Sequence, residues 1–241
     1  LQFRHCIHQG LAKGDVSSIV AAIRGDVCGL RPPPRGVDAL VVFQRVAQVI
    51  GPRRLADLWL AHRSEGRPEA RDSRAFAPFL AGQEVAQEHP ALPDLARLDL
   101  GLFLAGLTDR EPSIGACCLP AGLIAEHPDL MLRLQSSFRY LNLTYPVHTW
   151  VAGNDELPTA PAGWPILLRL APDRSGTEIN IARDLLSPAR FAFESSLARG
   201  RTFDAATRSA ALQDPAFDGQ RAIASLVEEG AIADVILHAK P

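Results

Sequence analysis

The sequence predicts an α+β protein in two parts: an all-α helical domain over residues 1–110, followed by a winged-helix-like α/β domain over residues 121–241. Three observations predict it. Apolar residues recur at three and four through the first 107 residues, with Gly and Pro falling between the periodic stretches. Residues 108–122 lose that pattern and collect Pro112, Gly115, Pro120 and Gly122, which marks a boundary. Beyond them the period becomes two, as in strands with one buried face, and three punctuated helices follow.

In the first domain, Asp15 caps a helix through Ile19, Ala22 and Ile23 that stops near Gly25. Arg31 to Gly36, with three consecutive prolines, is a stiff connector that cannot be helix interior. Two helices follow, Val37 to Ile50 and Arg53 to His62, split at Gly51-Pro52. Asp72 to Gln83 carries Phe76, Phe79 and Leu80 on one face. Pro93 suits the first turn of the last helix, where Leu95, Leu98 and Leu102 follow at helical spacing.

In the second domain, Leu130, Leu132 and Leu134 alternate with more polar neighbours as a strand, and Tyr145 to Ala152 reads as a short helix. Ile166, Leu168 and Leu170 form one arm of a hairpin, Pro172 to Gly176 supply its turn, and Thr177 to Arg183 return. Ser187-Pro188 and Gly200 bracket the next helix, and Thr202 caps Phe203 to Leu212. Asp214-Pro215 opens a third helix, Ala216 to Glu229, with Ile223, Leu226 and Val227 on its apolar face and Gly230 as its stop. Val235 to Leu237 make a closing strand. A strand pair, three helices and a closing strand are the parts of a winged helix-turn-helix.

Composition excludes several classes. A formal net charge of -2 gives no global attraction to nucleic acid or to an anionic membrane. The longest apolar stretches, Ala39 to Phe43 and Leu100 to Leu107, fall far short of the roughly 20 residues a spanning helix needs. Nothing at the start has the form of a secretion signal. Cys6, Cys28, Cys117 and Cys118 show no disulfide-framework spacing, which fits a reducing cytoplasm.

Candidate chemistry is sparse. His5, Cys6 and His8 could share one helical turn, but four ligands are needed and no second cluster has matching spacing, so solvated helix surface is the favoured reading. Cys117-Cys118 reads as a pair of small connector residues, with a redox switch as the alternative. Glu88-His89-Pro90 and Glu126-His127-Pro128 invite acid-base roles, yet a residue before proline is pushed out of the helical region, so both histidines mark loop ends. Tyr140, Tyr145, Trp150 and Trp164 read as core aromatics with a wet edge, an interface role being the alternative. No phosphate loop, HExxH helix or GxSxG elbow occurs. No catalytic residue, metal or cofactor is expected.

Several stretches together resemble the HvfC/BufC family, long labelled as DNA-binding proteins. They are Ala75-Phe76-Ala77-Pro78-Phe79-Leu80, Leu92-Pro93-Asp94-Leu95-Ala96-Arg97-Leu98-Asp99, Phe138-Arg139-Tyr140-Leu141, Tyr145-Pro146-Val147 with Trp150, and Phe191 through Gly200 to Ala206. Family members usually carry Glu at the position of Asp99. The resemblance implies a non-catalytic accessory subunit that binds a multinuclear non-haem iron oxygenase and presents a ribosomally synthesised precursor peptide for cysteine modification. The second domain would be the peptide-recognition module, with the peptide adding as a strand beside the third helix. The implied peptide-binding residues are Thr177, Glu178, Ile179, Asn180, Ile181, Ala182 and Arg183 on the return strand, with Arg221 and Ser225 on the third helix. The alternative is a winged-helix DNA-binding regulator. Arg199, Arg201 and Arg208 favour it, but the third helix sets Gln220 and Arg221 against Asp218, Glu228 and Glu229, an acidic balance for a base-reading helix.

Overall fold

A computed structural model describes residues 37–65, 73–108, 111–114, 126–127, 129–151, 156–172 and 180–236. The Asp15 helix, the triple-proline connector, the Pro172 to Gly176 turn beyond its first residue, and every cysteine lie outside them. The described residues mix helices with strands in small sheets, an α+β architecture. They fall into two compact units, one from the described residues within 1–107, 143–166 and 172–181, the other from those within 108–142, 167–171 and 182–241.

The first unit is helical: α1 (Val37–Val42), α2 (Gln44–Ile50), α3 (Pro52–Ser64), a 3-10 turn (Ser73–Ala75), α4 (Phe76–Ala81), α5 (Val85–Glu88) and α6 (Leu92–Leu107). Helix α6 packs against α1, α2 and α4, burying Leu95 and Leu98 with Phe43, Leu55, Trp59 and Phe76. The single helix expected over Val37 to Ile50 is broken at Phe43, whose φ of -109° and ψ of 53° leave the helical region. Asp99 supplies the reason. Its carboxylate accepts hydrogen bonds from the Arg45 and Val46 N–H groups at 2.8 and 3.2 Å, capping α2 from 54 and 53 residues away in sequence. Gly51, at φ 85°, sits where a side chain would be strained, and Pro52 then starts α3.

Leu143 to Ile166 group with this helical unit, and Asp94 shows how. Its carboxylate, 3 % exposed, accepts from the Thr144 and Tyr145 N–H groups at 2.6 and 2.9 Å and pairs with Arg97. The helix expected from Tyr145 to Ala152 does not form over the described residues to 151. Overlapping turns take its place, with Thr149 N–H donating to Pro146 O and Trp150 N–H to Val147 O.

The second unit holds β1 (Met131–Leu134), all but the end residues of β2 (Arg139–Leu143), β3 (Ile166–Pro172) and β4 (Ile181–Leu185), and then α7 (Pro188–Ala198), α8 (Phe203–Ala211), α9 (Gly219–Glu228) and β5 (Ile232–Ile236). The first and last strands pair antiparallel, Met131 with Ile236 and Leu132 with Val235. Strands β2, β3 and β4 form a separate sheet in that order. Strand β2 is an addition to the sequence reading. The closing strand begins at Ile232 rather than Val235, and Leu237 lies outside the described residues. Its partner is β1, not the hairpin, so the closing strand and the hairpin belong to different sheets.

Leu132, Phe193, Ala206, Ile223, Leu226 and Ile232 lie at the centre of this unit's core. Ser187 and Thr202 cap α7 and α8 through their side chains, and Gly200 and Gly230 follow α7 and α9 with φ of 73° and 62°. The third helix starts later than expected. Asp214 bonds Ala216 N–H within a turn, and Asp218 caps α9 instead by accepting from Arg221 N–H. Part of the expected linker is also pinned here: Glu111 contacts Arg133 and Ser136, and Ile114 N–H donates to Ile232 O.

Candidate functional site

Strand β4 ends its sheet, and among the described residues no strand pairs with its outer side. Residues 173–180 connect β3 to β4, too few for a parallel crossover, so the two strands run antiparallel. Leu186 N–H donates to Leu167 O, directing the backbone of Leu186 toward β3. Alternation then turns the backbones of Ala182 and Asp184 inward to β3 and those of Arg183 and Leu185 outward.

The side chains alternate as well. Asp184 reaches over the sheet to Arg169, while Leu185, on the opposite face, is 64 % exposed. Arg169 is the hub of a buried ionic cluster. Its Nε and Nη2 donate to Asp184 Oδ2 at 3.1 and 2.8 Å, and its Nη1 lies 3.3 Å from Glu194 Oε2 on α7 and 2.6 Å from Glu229 Oε2 just past α9. Arg190 binds Glu194 Oε1 and Glu229 Oε1 at 2.6 and 2.7 Å, and Ser225 donates to Glu229 Oε1 at 2.8 Å. The Phe138 ring lies under the Arg169 guanidinium at 5.5 Å. Two guanidinium groups against three carboxylates leave the cluster formally one charge negative.

The electrostatics follow from burial opposed by pairing. Burial alone would lower Arg169, but the Glu194, Asp184 and Glu229 carboxylates carry it above its ordinary value. Burial would raise Glu229, yet Ser225, Arg169 and Arg190 hold its carboxyl below the usual range. Tyr140 is pushed well up, by burial first and by the Glu194 charge second, and its hydroxyl makes no hydrogen bond of good geometry. These groups are suited to holding β4 against α7 and α9. They present no nucleophile activated by a base.

Of the sequence-derived binding residues, Thr177, Glu178 and Ile179 lie outside the described residues. Asn180 is exposed just before β4, Ile181 and Ala182 are half-buried on it, and Arg183 is exposed. Arg221 is exposed at the start of α9, whereas Ser225 is drawn into the ionic cluster. Sequence reasoning passed over Asp184, Leu185, Arg169, Arg190 and Glu194, and counted Glu229 only toward the acidic balance of the third helix. The spacing Arg190/Glu194 and Ser225/Glu229, each four apart on a helix, was the available signal.

The other candidates separate. His89 ends α5, and its neighbour Glu88 pairs with Arg54 rather than with an imidazole. The His127 carbonyl accepts from Leu130 N–H at a loop end. Trp150 is buried and Trp164 is 74 % exposed. His5, Cys6, His8, Cys117 and Cys118 lie outside the described residues, and within those residues no group of three or more His, Cys, Asp or Glu is placed to hold a metal. No helix among the described residues is long and apolar enough to cross a membrane. No family model matches the chain, and no curated protein matches it.

Proposed function

We propose that this chain is a non-catalytic accessory protein that holds a segment of a ribosomally made precursor peptide and delivers it to a separate multinuclear non-haem iron oxygenase. The second unit acts as a winged-helix-like recognition module, taking the peptide as an added strand on β4. The observation that carries the capture step is the outward edge of β4, at the end of a three-stranded sheet anchored to α7 and α9. The oxygenase rests on the HvfC/BufC resemblance, including Asp94, whose buried carboxylate helps to organise the helical unit.

The test uses the oxygenase and the short cysteine-bearing peptide expected to be encoded beside this gene. The chain should co-elute with both and leave duplex DNA unshifted at physiological salt. Leu185→Pro removes an outward N–H without touching the bonds to β3, so it should abolish peptide binding while oxygenase binding persists. Leu185→Ala keeps that N–H and should retain most of the binding. Proline at Ala182 is unsuited as the probe, because its inward N–H faces β3. A Leu185→Pro protein that binds the peptide like the parent would remove β4 as the docking edge. DNA binding with a steep salt slope would replace the accessory reading with a regulator.

A further inference from the structure

Resting on the strand-addition reading, we infer that the peptide segment seated on β4 carries a lysine or arginine opposite Asp184 and, next to it in sequence, an apolar residue opposite Leu185. The parity of β4 sets this pattern. With the backbones of Arg183 and Leu185 turned outward, Asp184 occupies a non-hydrogen-bonded position toward an antiparallel newcomer, where facing side chains approach most closely. Asp184 is 39 % exposed, and its contacts with Arg169 all use Oδ2 rather than Oδ1. With Asp184 counted, the cluster holds one more carboxylate than guanidinium groups, and Glu229, 31 % exposed, belongs to the same negative rim. An arriving carboxylate would meet repulsion there, and a neutral side chain would leave the excess charge uncompensated. On the other face Leu185, 64 % exposed, gains burial only from an apolar neighbour.

The probe is a phage-displayed library of random dodecapeptides selected on the full chain. Enriched sequences should share a basic residue immediately after an apolar one, the order that an antiparallel strand requires. In a resynthesised winner, Lys→Gln should weaken binding about three- to fivefold and Lys→Glu about tenfold, the scale of a partly exposed cross-strand charge pair. Selection on Asp184→Asn should lose the basic bias, and Asp184→Glu should keep it. Should Asp184→Asn fail to fold, the Lys/Gln/Glu series on the parent chain still decides. Winners that depend on the β4 edge, as judged by Leu185→Pro, but show no basic preference would overturn this inference and leave strand addition standing. Winners indifferent to Leu185→Pro would overturn strand addition itself, and no enrichment at all would overturn both.

Discussion

Replacing Arg169 by Met tests whether the ionic cluster holds the second unit together. Arg169 is 8 % exposed and Glu194 1 %, so the variant leaves Glu194 buried with Arg190 as its remaining cation. Removing one partner of a buried pair costs about 3–5 kcal/mol, because the other charge stays desolvated. Asp184 and Glu229, 39 % and 31 % exposed, keep partial access to water. Such pairs add at most about 1 kcal/mol each. Since Arg190 Nε remains 2.6 Å from Glu194, the expected loss lies near the lower end, about 3 kcal/mol. The assay is urea unfolding followed by two signals. Trp59, Trp150 and Trp164 are the chain's three tryptophans and all belong to the first unit, whereas far-UV circular dichroism reports both units. Arg169→Met should move the dichroism transition to lower urea, with the smaller change in tryptophan emission. Adding Glu194→Gln should recover part of the loss by removing the stranded charge. A single variant within about 0.5 kcal/mol of the parent, or a double variant less stable than the single, would refute the reasoning.

Three further outcomes follow from the same contacts. Asp94→Ala leaves the Thr144 and Tyr145 N–H groups without their acceptor and should cost about 2–4 kcal/mol, with altered tryptophan emission from Trp150; parent-like emission and stability would count against it. The Glu229 pKa is lower in the folded chain than in the unfolded one, so its contribution is present above the unfolded value and fades as pH falls through the folded one. Stability measured from neutral to acid pH should therefore decline, and Glu229→Gln should flatten that decline. Tyr140 has the opposite sign, a folded pKa above the unfolded one, so its contribution is complete below the unfolded value and is lost as pH rises through the folded one. Tyr140→Phe should weaken the alkaline loss and change neutral-pH stability by no more than about 1 kcal/mol; a cost above about 2 kcal/mol would mean that the hydroxyl bonds Glu194 after all.

Local chemistry by itself determined much of the chain's punctuation. Ser187 and Thr202 cap their helices because a short side-chain oxygen meets an orphan amide within three residues, and Gly200 and Gly230 follow helix ends because only glycine takes positive φ at little cost. The strand ending at Leu134 and the first hairpin strand were readable for the same reason, since a period of two is a property of neighbouring residues. What the tertiary structure decided involves partners far apart in sequence. Asp99 breaks the Val37 to Ile50 segment by capping α2 from α6, and Asp94 fixes the Thr144 and Tyr145 amides to the same helix. The pairing of β5 with β1 follows no local pattern either. The ionic cluster joins residues from 169 to 229, of which only the pairs four apart on α7 and around the end of α9 leave a trace in sequence. The outer edge of β4 is likewise a consequence of sheet order, because alternation tells which residues share a face but not which strand is last.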